Sequence, residues 1–547
     1  MPEVRSNARD ESPGTVSYRF EEAAFAGFGS LSSKREIAAK VQSTTIAKSG
    51  KMLWFSSHRR FFLAAALFLL TIGAALRVYH LGNRSLWFDE ALTANTSRGT
   101  LTQMLEETRA RCSAPIIHPY ILYLVQKVSS DPVAVRAPSV VASLLAIFLM
   151  LAMVRAKVSY SAALFSAAIL TVSVSQIRYA QEVREYSLAV LLAACLIYCL
   201  VRWDVAGSRN RHPALLYALL FLAPLVQYGL VLLAFGVLST IVLRLLLARD
   251  TCFRLSHAAI ASTFLVAGAS VSFVLTLRYQ FHPGRVPWYL AANYFDPKSS
   301  SLLHFVGANT AWLIIFLISE HIVRLCFVLG VVIFCTTRVL TRQYDSITLL
   351  ALTSLLITIC ASIARVYPYG GIRQCLFLAP GLALFAGVVF ADLLQRLRGT
   401  LQLVATVALL AIICLSGYRG IRWQWPYGEY EDTRSILKEL AKSSTLSDQV
   451  WVNHDAVEAV DFYLQGKDPR FVYGKFHGNP QEYVPELLGS IDRRTDRIWL
   501  VFSHLQQPSD NAEEQLIVNS LQPGWDVHSV LAPTNTALFV AHRRTSP

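Results

Sequence analysis

The chain has 547 residues, of which 54% are hydrophobic and only 16% are charged. Soluble domains usually carry about 25% charged residues, so this composition excludes an ordinary soluble protein and indicates an integral membrane protein. The formal net charge is +14, but the basic residues flank apolar runs, which indicates orientation in a bilayer rather than binding of nucleic acid.

The N-terminal segment is polar, lacks helical periodicity and includes a serine-rich stretch. Segments of this kind bury too little apolar surface to fold, so we predict that residues 1–55 are a disordered cytoplasmic segment. The first apolar run begins near Phe61, too far along the chain for a cleavable signal peptide.

Eleven apolar runs follow, each close to the roughly 20 residues that a transmembrane helix needs. We predict spans at 61–79, 136–154, 159–177, 186–202, 213–228, 229–247, 256–277, 323–340, 346–364, 374–395 and 400–417. A further apolar stretch, 305–320, is followed by charged residues, and we predict that it re-enters the membrane or lies at its interface. Residues 56–420 are therefore the predicted transmembrane domain.

Basic residues mark every second connection between the spans. Arg59 and Arg60 precede the first span, and Arg155 and Lys157 separate the second from the third. Because Lys and Arg concentrate in cytoplasmic loops, we predict a multi-pass protein of the plasma (inner) membrane, surrounded by membrane lipids, with its N-terminus inside and its C-terminus outside. The opposite, extracytoplasmic loops are 80–135, 178–185, 278–322 and 365–373.

The composition becomes that of a soluble domain after Trp423, so we place a separate extracytoplasmic domain at 421–547. Short β-rich runs alternate there with helical stretches, which is typical of a small α/β layer domain. The predicted strands are Gln449–His454, Arg470–Tyr473, Arg497–Ser503 and Ala537–His542. The predicted helices are Glu431–Lys442, Ala456–Leu464, Gln481–Ile491 and Asn511–Leu521.

The first extracytoplasmic loop contains Trp87-Phe88-Asp89-Glu90 just beyond a span. A carboxylate close to the membrane is costly unless it has a partner or a task. One interpretation is a general base that takes the proton of an acceptor hydroxyl. The other is an interfacial tryptophan followed by a helix N-cap at Asp89, and the residues alone leave both open.

Two more residues of this loop also have two interpretations each. His118, which precedes Pro119, is either a substrate or metal ligand or a structural histidine. Arg136, at the mouth of the second span, either binds phosphate or extends to the membrane interface.

The second extracytoplasmic loop places Glu182, Arg184 and Tyr186 between two apolar runs. This density of charge predicts either a structural ion pair or a substrate-orienting carboxylate with an arginine for phosphate.

A later loop contains Arg365, Tyr367, Gly370-Gly371 and Arg373. The planar fork of arginine suits phosphate, and a glycine pair lets the backbone approach a ligand closely. Phosphate beside Arg373 would also meet the free amides of the apolar helix that begins there. The alternative is a pair of ordinary interfacial arginines.

Taken in order, the motifs LGxxSLWFDEA, HPxxxYL, R-x-PS and Y-x-QEVREYSL resemble those of the bacterial membrane glycosyltransferases of the protein-mannosyltransferase and aminoarabinose-transferase type, which are family 39-like and have the GT-C fold. The matched motifs cover roughly residues 76–200. The resemblance implies a polytopic α-helical membrane protein with about 11 transmembrane helices and a small C-terminal extracytoplasmic α/β domain. It also implies transfer of a sugar from a polyprenyl-phosphate donor to a hydroxyl of a lipid, glycan or protein acceptor.

The resemblance also implies roles for individual residues. The catalytic base of the family is the aspartate of the acidic pair in the first loop, which Asp89 matches, and Glu90 lies beside it. The acidic residue of the second loop matches Glu182, so these three are the predicted catalytic residues. Substrate contacts are predicted for His118, Arg136, Arg184, Tyr186, Arg365, Tyr367 and Arg373.

The chain departs from the family at Gln227-Tyr228, where many relatives have a His-Tyr pair, and this argues against a metal on that helix. Some relatives bind a divalent cation and others work without one, so a divalent cation is left open.

Two other functions compete with sugar transfer. A lipid or sugar transporter or flippase would share the spans, but transporters commonly have internal repeats and charges near the bilayer midplane, and neither is found in this sequence. A non-catalytic scaffold would not need the acidic pair, which is intact.

Overall fold

The computed structural model describes residues 59–544, apart from 207–212, 248–252, 281–286, 319, 342–344, 425–430, 467, 478–479, 493 and 506–507. The predicted N-terminal segment, 1–55, lies outside the described residues.

Helices make up the part of the chain before the C-terminal domain. They are α1 (Arg59–Val78), α2 (Phe88–Thr96), α3 (Leu101–Arg111), α4 (Ile117–Gln126), α5 (Pro132–Ala152), α6 (Tyr160–Val172), α7 (Val174–Ala180), α8 (Tyr186–Ala206), α9 (Ala214–Val226), α10 (Leu230–Leu247), α11 (Leu255–Ser272), α12 (Arg278–Gln280), α13 (Leu302–Leu317), α14 (His321–Thr341), α15 (Ser346–Ile363), α16 (Ala379–Gln395) and α17 (Gly399–Gln424).

Each predicted span coincides with a helix or, at 159–177, with a bent pair of helices. Among the described residues, eight helices are long and apolar enough to cross a membrane, and three shorter apolar helices accompany them. The stretch predicted at 305–320 is the single helix α13, and its 16 residues measure about 24 Å at 1.5 Å per residue. This is shorter than the roughly 30 Å of a hydrocarbon core, and the prediction that it lies at the interface or re-enters stays a prediction.

The span predicted at 159–177 is broken, because α6 and α7 meet at an angle of 60°. Arg77 of α1 is fully buried at the break and donates hydrogen bonds to the carbonyl oxygens of Leu170, at 2.9 Å, and Thr171, at 3.1 Å. These carbonyls lose their helical partners where α6 ends, so the guanidinium replaces them. The bend carries α7 toward the loop that contains Glu182.

The C-terminal domain consists of a five-stranded sheet with four helices. They are α18 (Thr433–Ser443), α19 (Val457–Leu464), α20 (Tyr483–Ser490), α21 (Pro508–Leu521), β1 (Gln449–Val452), β2 (Phe471–Tyr473), β3 (Arg497–Phe502), β4 (Trp525–Leu531) and β5 (Ala537–Arg543). The sheet has the order β2-β1-β3-β5-β4, in which β1 is parallel to β2 and β3, and β5 is antiparallel to β3 and β4. The predicted strands and helices are confirmed, and β4 is an additional edge strand.

The C-terminal domain packs directly on α2. The backbone N–H of Leu86 donates to the Tyr463 hydroxyl at 2.9 Å, and Asn95 donates to the Glu458 carboxylate at 3.0 Å. An apolar cluster continues the contact, with Leu86, Ala91 and Ala94 on one side and Ala459 and Phe462 on the other. The loop of residues 80–135 is thus held between the membrane helices and the sheet domain.

Candidate active site

Asp89 lies in the first turn of α2, and the residue that caps this helix is Trp87, whose side chain makes no capping hydrogen bond. The alternative of an N-cap at Asp89 is therefore wrong. The Asp89 carboxylate is partly exposed and instead receives a hydrogen bond from the Arg373 guanidinium at 2.6 Å. Arg184 lies 3.6 Å from the same oxygen.

The charge of Asp89 is set by these two arginines. Burial by itself would raise the pKa of the carboxyl group, but Arg184 and Arg373 outweigh burial and hold the pKa below its usual value. Asp89 is therefore an ionised carboxylate at neutral pH, and it faces two guanidinium groups that can bind a second anion.

Arg373 begins a 3-10 helix, Arg373–Leu378, that leads into α16. Its guanidinium lies over the ring of Trp87, at 5.5 Å, and over the ring of Tyr186, at 5.9 Å. Tyr186 also faces Arg184 at 5.6 Å. Two aromatic rings therefore flank the arginine pair and limit the directions in which the guanidinium groups can move.

Glu90 and Arg136 form a second, closed ion pair. Arg136 donates to both carboxylate oxygens of Glu90, at 2.9 and 2.7 Å, and both side chains are almost fully buried. Arg136 also donates to the backbone oxygens of Leu81, at 2.7 Å, and Ser85, at 3.0 Å. The alternative in which Arg136 extends to the membrane interface is therefore wrong, and the ion pair fastens the first loop to the start of α5.

Two hydrogen bonds join the first loop to the second. The backbone N–H of Val183 donates to the Glu90 carboxylate at 2.9 Å, and Arg84 donates to the Gln181 side chain at 2.8 Å. These bonds place Glu182 and Arg184 beside α2, so the two loops predicted to carry function do meet.

Glu182 is buried, and neither of its carboxylate oxygens has a hydrogen bond in the described part of the chain. Its nearest cation is Arg178, with Nε at 3.6 Å. Burial raises the pKa of Glu182 to about 7, although Arg178 opposes the rise. Near neutral pH this group therefore exists in both protonation states and can either donate or accept a hydrogen bond.

His118, near the start of α4, is also buried, and neither ring nitrogen has a partner among the described residues. Burial and the nearby Arg184 lower the pKa of His118 to about 3, so the ring is neutral. An unpartnered, neutral imidazole can bind a substrate hydroxyl. Across the described residues, no three His, Cys, Asp or Glu side chains are arranged to hold a metal ion.

Tyr367 and Arg365 are the remaining predicted residues. The Tyr367 hydroxyl donates to the backbone oxygen of Gln374 at 2.9 Å, which holds the segment that carries Arg373. Arg365 has a left-handed backbone, with φ 57°, and an exposed side chain that makes no hydrogen bond or ion pair with this cluster in the described structure. Its predicted substrate contact stays a prediction.

The sequence did not predict that the C-terminal domain contributes to this site. Glu431, which is fully buried, accepts hydrogen bonds from the backbone N–H of Phe88 at 2.9 Å, the Ser503 hydroxyl at 3.1 Å and the His504 ring at 2.6 Å. The His504 ring packs on the Phe88 ring at 5.4 Å. The sequence pattern that could have predicted this contribution is the position of Ser503 and His504 directly after a parallel strand, where ligand-binding groups of α/β sheets concentrate.

No protein-family model matches the sequence, and no curated protein matches it. Two solved structures of ArnT, the aminoarabinose transferase from Cupriavidus metallidurans, are similar to this structure. The complex with undecaprenyl phosphate has a TM-score of 0.53 at 14% identity and covers 88% of this chain and 97% of ArnT. The apo state has a TM-score of 0.51 at 14% identity and covers 89% and 98% of the two chains.

At this identity the similarity is one of fold. The protein is a polytopic α-helical membrane protein of the GT-C type with a small C-terminal α/β domain, as the sequence motifs predicted.

Proposed function

We propose that the protein is a glycosyltransferase that moves a sugar from a polyprenyl-phosphate donor to an acceptor hydroxyl at the extracytoplasmic face of the membrane. The observation that supports this best is the contact of the ionised Asp89 with Arg373 and Arg184. A base and two phosphate-binding groups stand together, which is what transfer from a lipid phosphate requires. ArnT, which has this fold, was crystallised with undecaprenyl phosphate, and we assign the same class of lipid to this chain.

The resting ion pair explains how donor binding would prepare the base. Guanidinium groups bind phosphate through charge-assisted hydrogen bonds, so the donor phosphate competes with Asp89 for Arg373 and Arg184. Once the arginines turn to the phosphate, Asp89 loses the charges that keep its pKa low and gains an anionic neighbour. Its pKa then rises, and it becomes a stronger base only when the donor is present.

The transfer step follows from this arrangement. Asp89 takes the proton of the acceptor hydroxyl while that oxygen forms a bond to the anomeric carbon of the sugar. The bond between this carbon and the lipid phosphate breaks, and its electron pair stays on the phosphate oxygen. Arg373 and Arg184 stabilise the negative charge that grows there, so they favour the transition state over the bound donor.

The other residues of the cluster support this step in different ways. Glu182, with a pKa near 7, hydrogen-bonds hydroxyl groups of the sugar or the acceptor, and His118 offers a further hydrogen bond from its unpartnered ring. Both carboxylate oxygens of Glu90 already accept hydrogen bonds from Arg136. We therefore propose that this pair positions the loop and does not take part in the chemical step.

The test uses purified full-length protein with a panel of polyprenyl-phosphate sugars and an extract of envelope lipids and glycans as acceptors. Release of free polyprenyl phosphate is the readout. General-base help is typically worth about 10²–10⁴ in rate, so Asp89→Asn should lose that much. Glu106→Gln, a change at an exposed carboxylate of α3, should leave the rate unchanged.

Two results would oppose the proposal. Full activity of an Asp89→Asn protein that inserts normally would remove Asp89 from the role of base. Movement of an intact donor across vesicle membranes by the wild type, with no free polyprenyl phosphate formed, would favour a transporter.

A further inference from the structure

The carboxyl ends of the three parallel strands of the C-terminal sheet lie at one edge. Asn453, His454 and Asp455 follow β1, residues 474–477 follow β2, and Ser503 and His504 follow β3. We refer to these residues as the carboxyl edge. In open α/β sheets, ligands bind outside the carboxyl ends of the strands. We propose that the carboxyl edge binds a sugar unit of a glycan acceptor, an inference that rests on the proposed function.

An exposed aromatic platform is the first observation that supports this inference. Phe476 is 78% exposed, although it lies within a folded domain. Its ring is 5.3 Å from the ring of His454, which stacks on Tyr483 at 4.9 Å with an angle of 8° between the planes. The negative face of an aromatic ring attracts the weakly positive C–H groups on the apolar side of a pyranose.

Hydrogen-bonding groups surround this platform. His454 Nε2 lies 3.1 Å from Asp455, and the Glu513 carboxylate accepts a hydrogen bond from Asn453 at 2.8 Å. The His454 side chain is nine-tenths buried, yet its Nδ1 has no hydrogen bond in the described structure and lies 3.6 Å from Glu513. Carboxylates accept hydrogen bonds and hydroxyls donate them. The aromatic rings therefore suit the apolar face of a sugar, and the polar groups around them suit its hydroxyls.

The distribution of charge selects a neutral glycan over an anionic ligand. Four carboxylates lie at or beside the carboxyl edge, namely Asp455, Glu482, Glu486 and Glu513. Within the described residues of this edge, Lys475 is the one lysine and there is no arginine. The arginines of the sheet lie at the opposite ends of the strands, where Arg497 begins β3 and Arg543 ends the antiparallel β5. A lipid phosphate or nucleotide would be repelled, whereas hydroxyl groups would be accepted.

The carboxyl edge continues to the proposed base. His504, at the end of β3, contacts Phe88, the neighbour of Asp89. Burial would lower the pKa of His504, but Glu431, Asp455 and Asp89 together raise it. A glycan bound over Phe476 and Asp455 could therefore extend past His504 and present its terminal hydroxyl to Asp89.

The test measures glycan binding apart from catalysis. Purified full-length protein in detergent is applied to an array of neutral hexose and N-acetylhexosamine oligosaccharides, with no donor present. Phe476→Ala and Asp455→Asn should each weaken binding at least tenfold. Leu446→Ala, which removes a 90% exposed side chain just before β1, is the matched control and should bind like the wild type. Since Phe476 is exposed, its truncation should not disturb folding.

The results separate this inference from the proposed function. Failure of any glycan to bind, or binding that both edge variants retain, would overturn the glycan site even if polyprenyl phosphate is released normally. Binding that depends on the carboxyl edge and persists in Asp89→Asn supports the site even if no donor is cleaved. Binding of basic peptides that neutral glycans do not displace would also overturn it, because it would assign the acidic edge to a protein acceptor.

Discussion

The Arg373 guanidinium lies 2.6 Å from the Asp89 carboxylate, although 284 residues separate the two in the chain. Asp89 lies in the first turn of α2, and Arg373 lies at the start of the 3-10 helix that leads into α16. The contact keeps an otherwise costly carboxylate ionised near the membrane. It also means that a phosphate bound to the arginine competes with the base for the guanidinium group.

The first prediction concerns the pH dependence of the reaction. Arg373→Gln removes one of the two charges that hold the pKa of Asp89 below its usual value, so burial raises that pKa. Since only the ionised form acts as a base, activity is lost as pH falls through this pKa. The acid limb of the kcat/KM profile should therefore move to higher pH in the variant, in addition to a large loss of rate.

Arg278→Gln is the control for this measurement, because Arg278 is exposed and contacts Tyr279. Its pH profile should superimpose on that of the wild type. An unshifted acid limb in Arg373→Gln would show that the arginine does not control the charge of Asp89.

The second prediction concerns stability. The folded-state pKa of Glu182 is raised from 4.5 to about 7 by burial. The protonated form is favoured in the folded state, so this stabilisation is complete below the unfolded pKa and is lost as pH rises through about 7. Glu182→Gln stays neutral and should be more stable than the wild type at pH 8, by up to about 3 kcal/mol, since each pKa unit is worth about 1.4 kcal/mol. At pH 4 the two proteins should have similar Tm values.

Thermal unfolding in detergent at several pH values measures this difference. A wild type whose Tm relative to the variant does not change between pH 4 and pH 8 would mean that folding does not raise the pKa of Glu182.

The sequence predicted most of the fold because apolar runs of about 20 residues and alternating strand patterns are local signals. It missed the break between α6 and α7, since the apolar run continues through Ser173 and the bend depends on Arg77 from another helix. It also missed β4, where six of the seven residues from Trp525 to Leu531 are not buried and buried and exposed positions do not alternate regularly. An edge strand of this kind lacks the period-two pattern of a half-buried strand.

The site was predicted unevenly for a related reason. Asp89, Glu182 and Arg184 stand in the matched motifs, whereas Arg373 was predicted from its position in the chain. Asp89, Arg184 and Arg373 do come together, and the bond from the Val183 N–H to Glu90 holds the loop of Glu182 beside them. The partnership of Glu90 with Arg136 could not be read from the chain, because each residue alone matches a catalytic or phosphate-binding pattern. Glu431 and His504 depend on the docking of a second domain, which no local pattern encodes.

The third prediction separates positioning from chemistry. Breaking a buried ion pair usually costs about 3–5 kcal/mol, because a charge is left buried without a partner. Arg136→Met and Glu90→Leu should each reduce Tm and yield strongly, whereas the double variant should recover much of the Tm. Arg396→Ala, which breaks the half-exposed pair with Asp392, is the control and should cost less than about 1 kcal/mol. Single variants that keep the wild-type Tm but lose transfer activity would instead assign these residues to the chemistry.

The fourth prediction concerns the attachment of the C-terminal domain at the site. The pKa of His504 is raised, chiefly because Glu431 outweighs burial, so the protonated pair stabilises docking below the normal histidine pKa and weakens as pH rises through the raised one. Glu431 also accepts the Phe88 N–H, and hydrogen exchange of that amide, corrected for the intrinsic effect of pH, reports local opening. Protection should fall with rising pH in the wild type, and in Glu431→Gln it should be at least about tenfold lower at pH 6, since a hydrogen bond to a charged group is worth about 1.5–3 kcal/mol.

His528→Gln is the control, because it removes an exposed histidine that pairs with Asp526, and its Phe88 amide should exchange like that of the wild type. Protection of Phe88 that is independent of both pH and the Glu431 substitution would show that His504 and Glu431 do not hold the first loop in place.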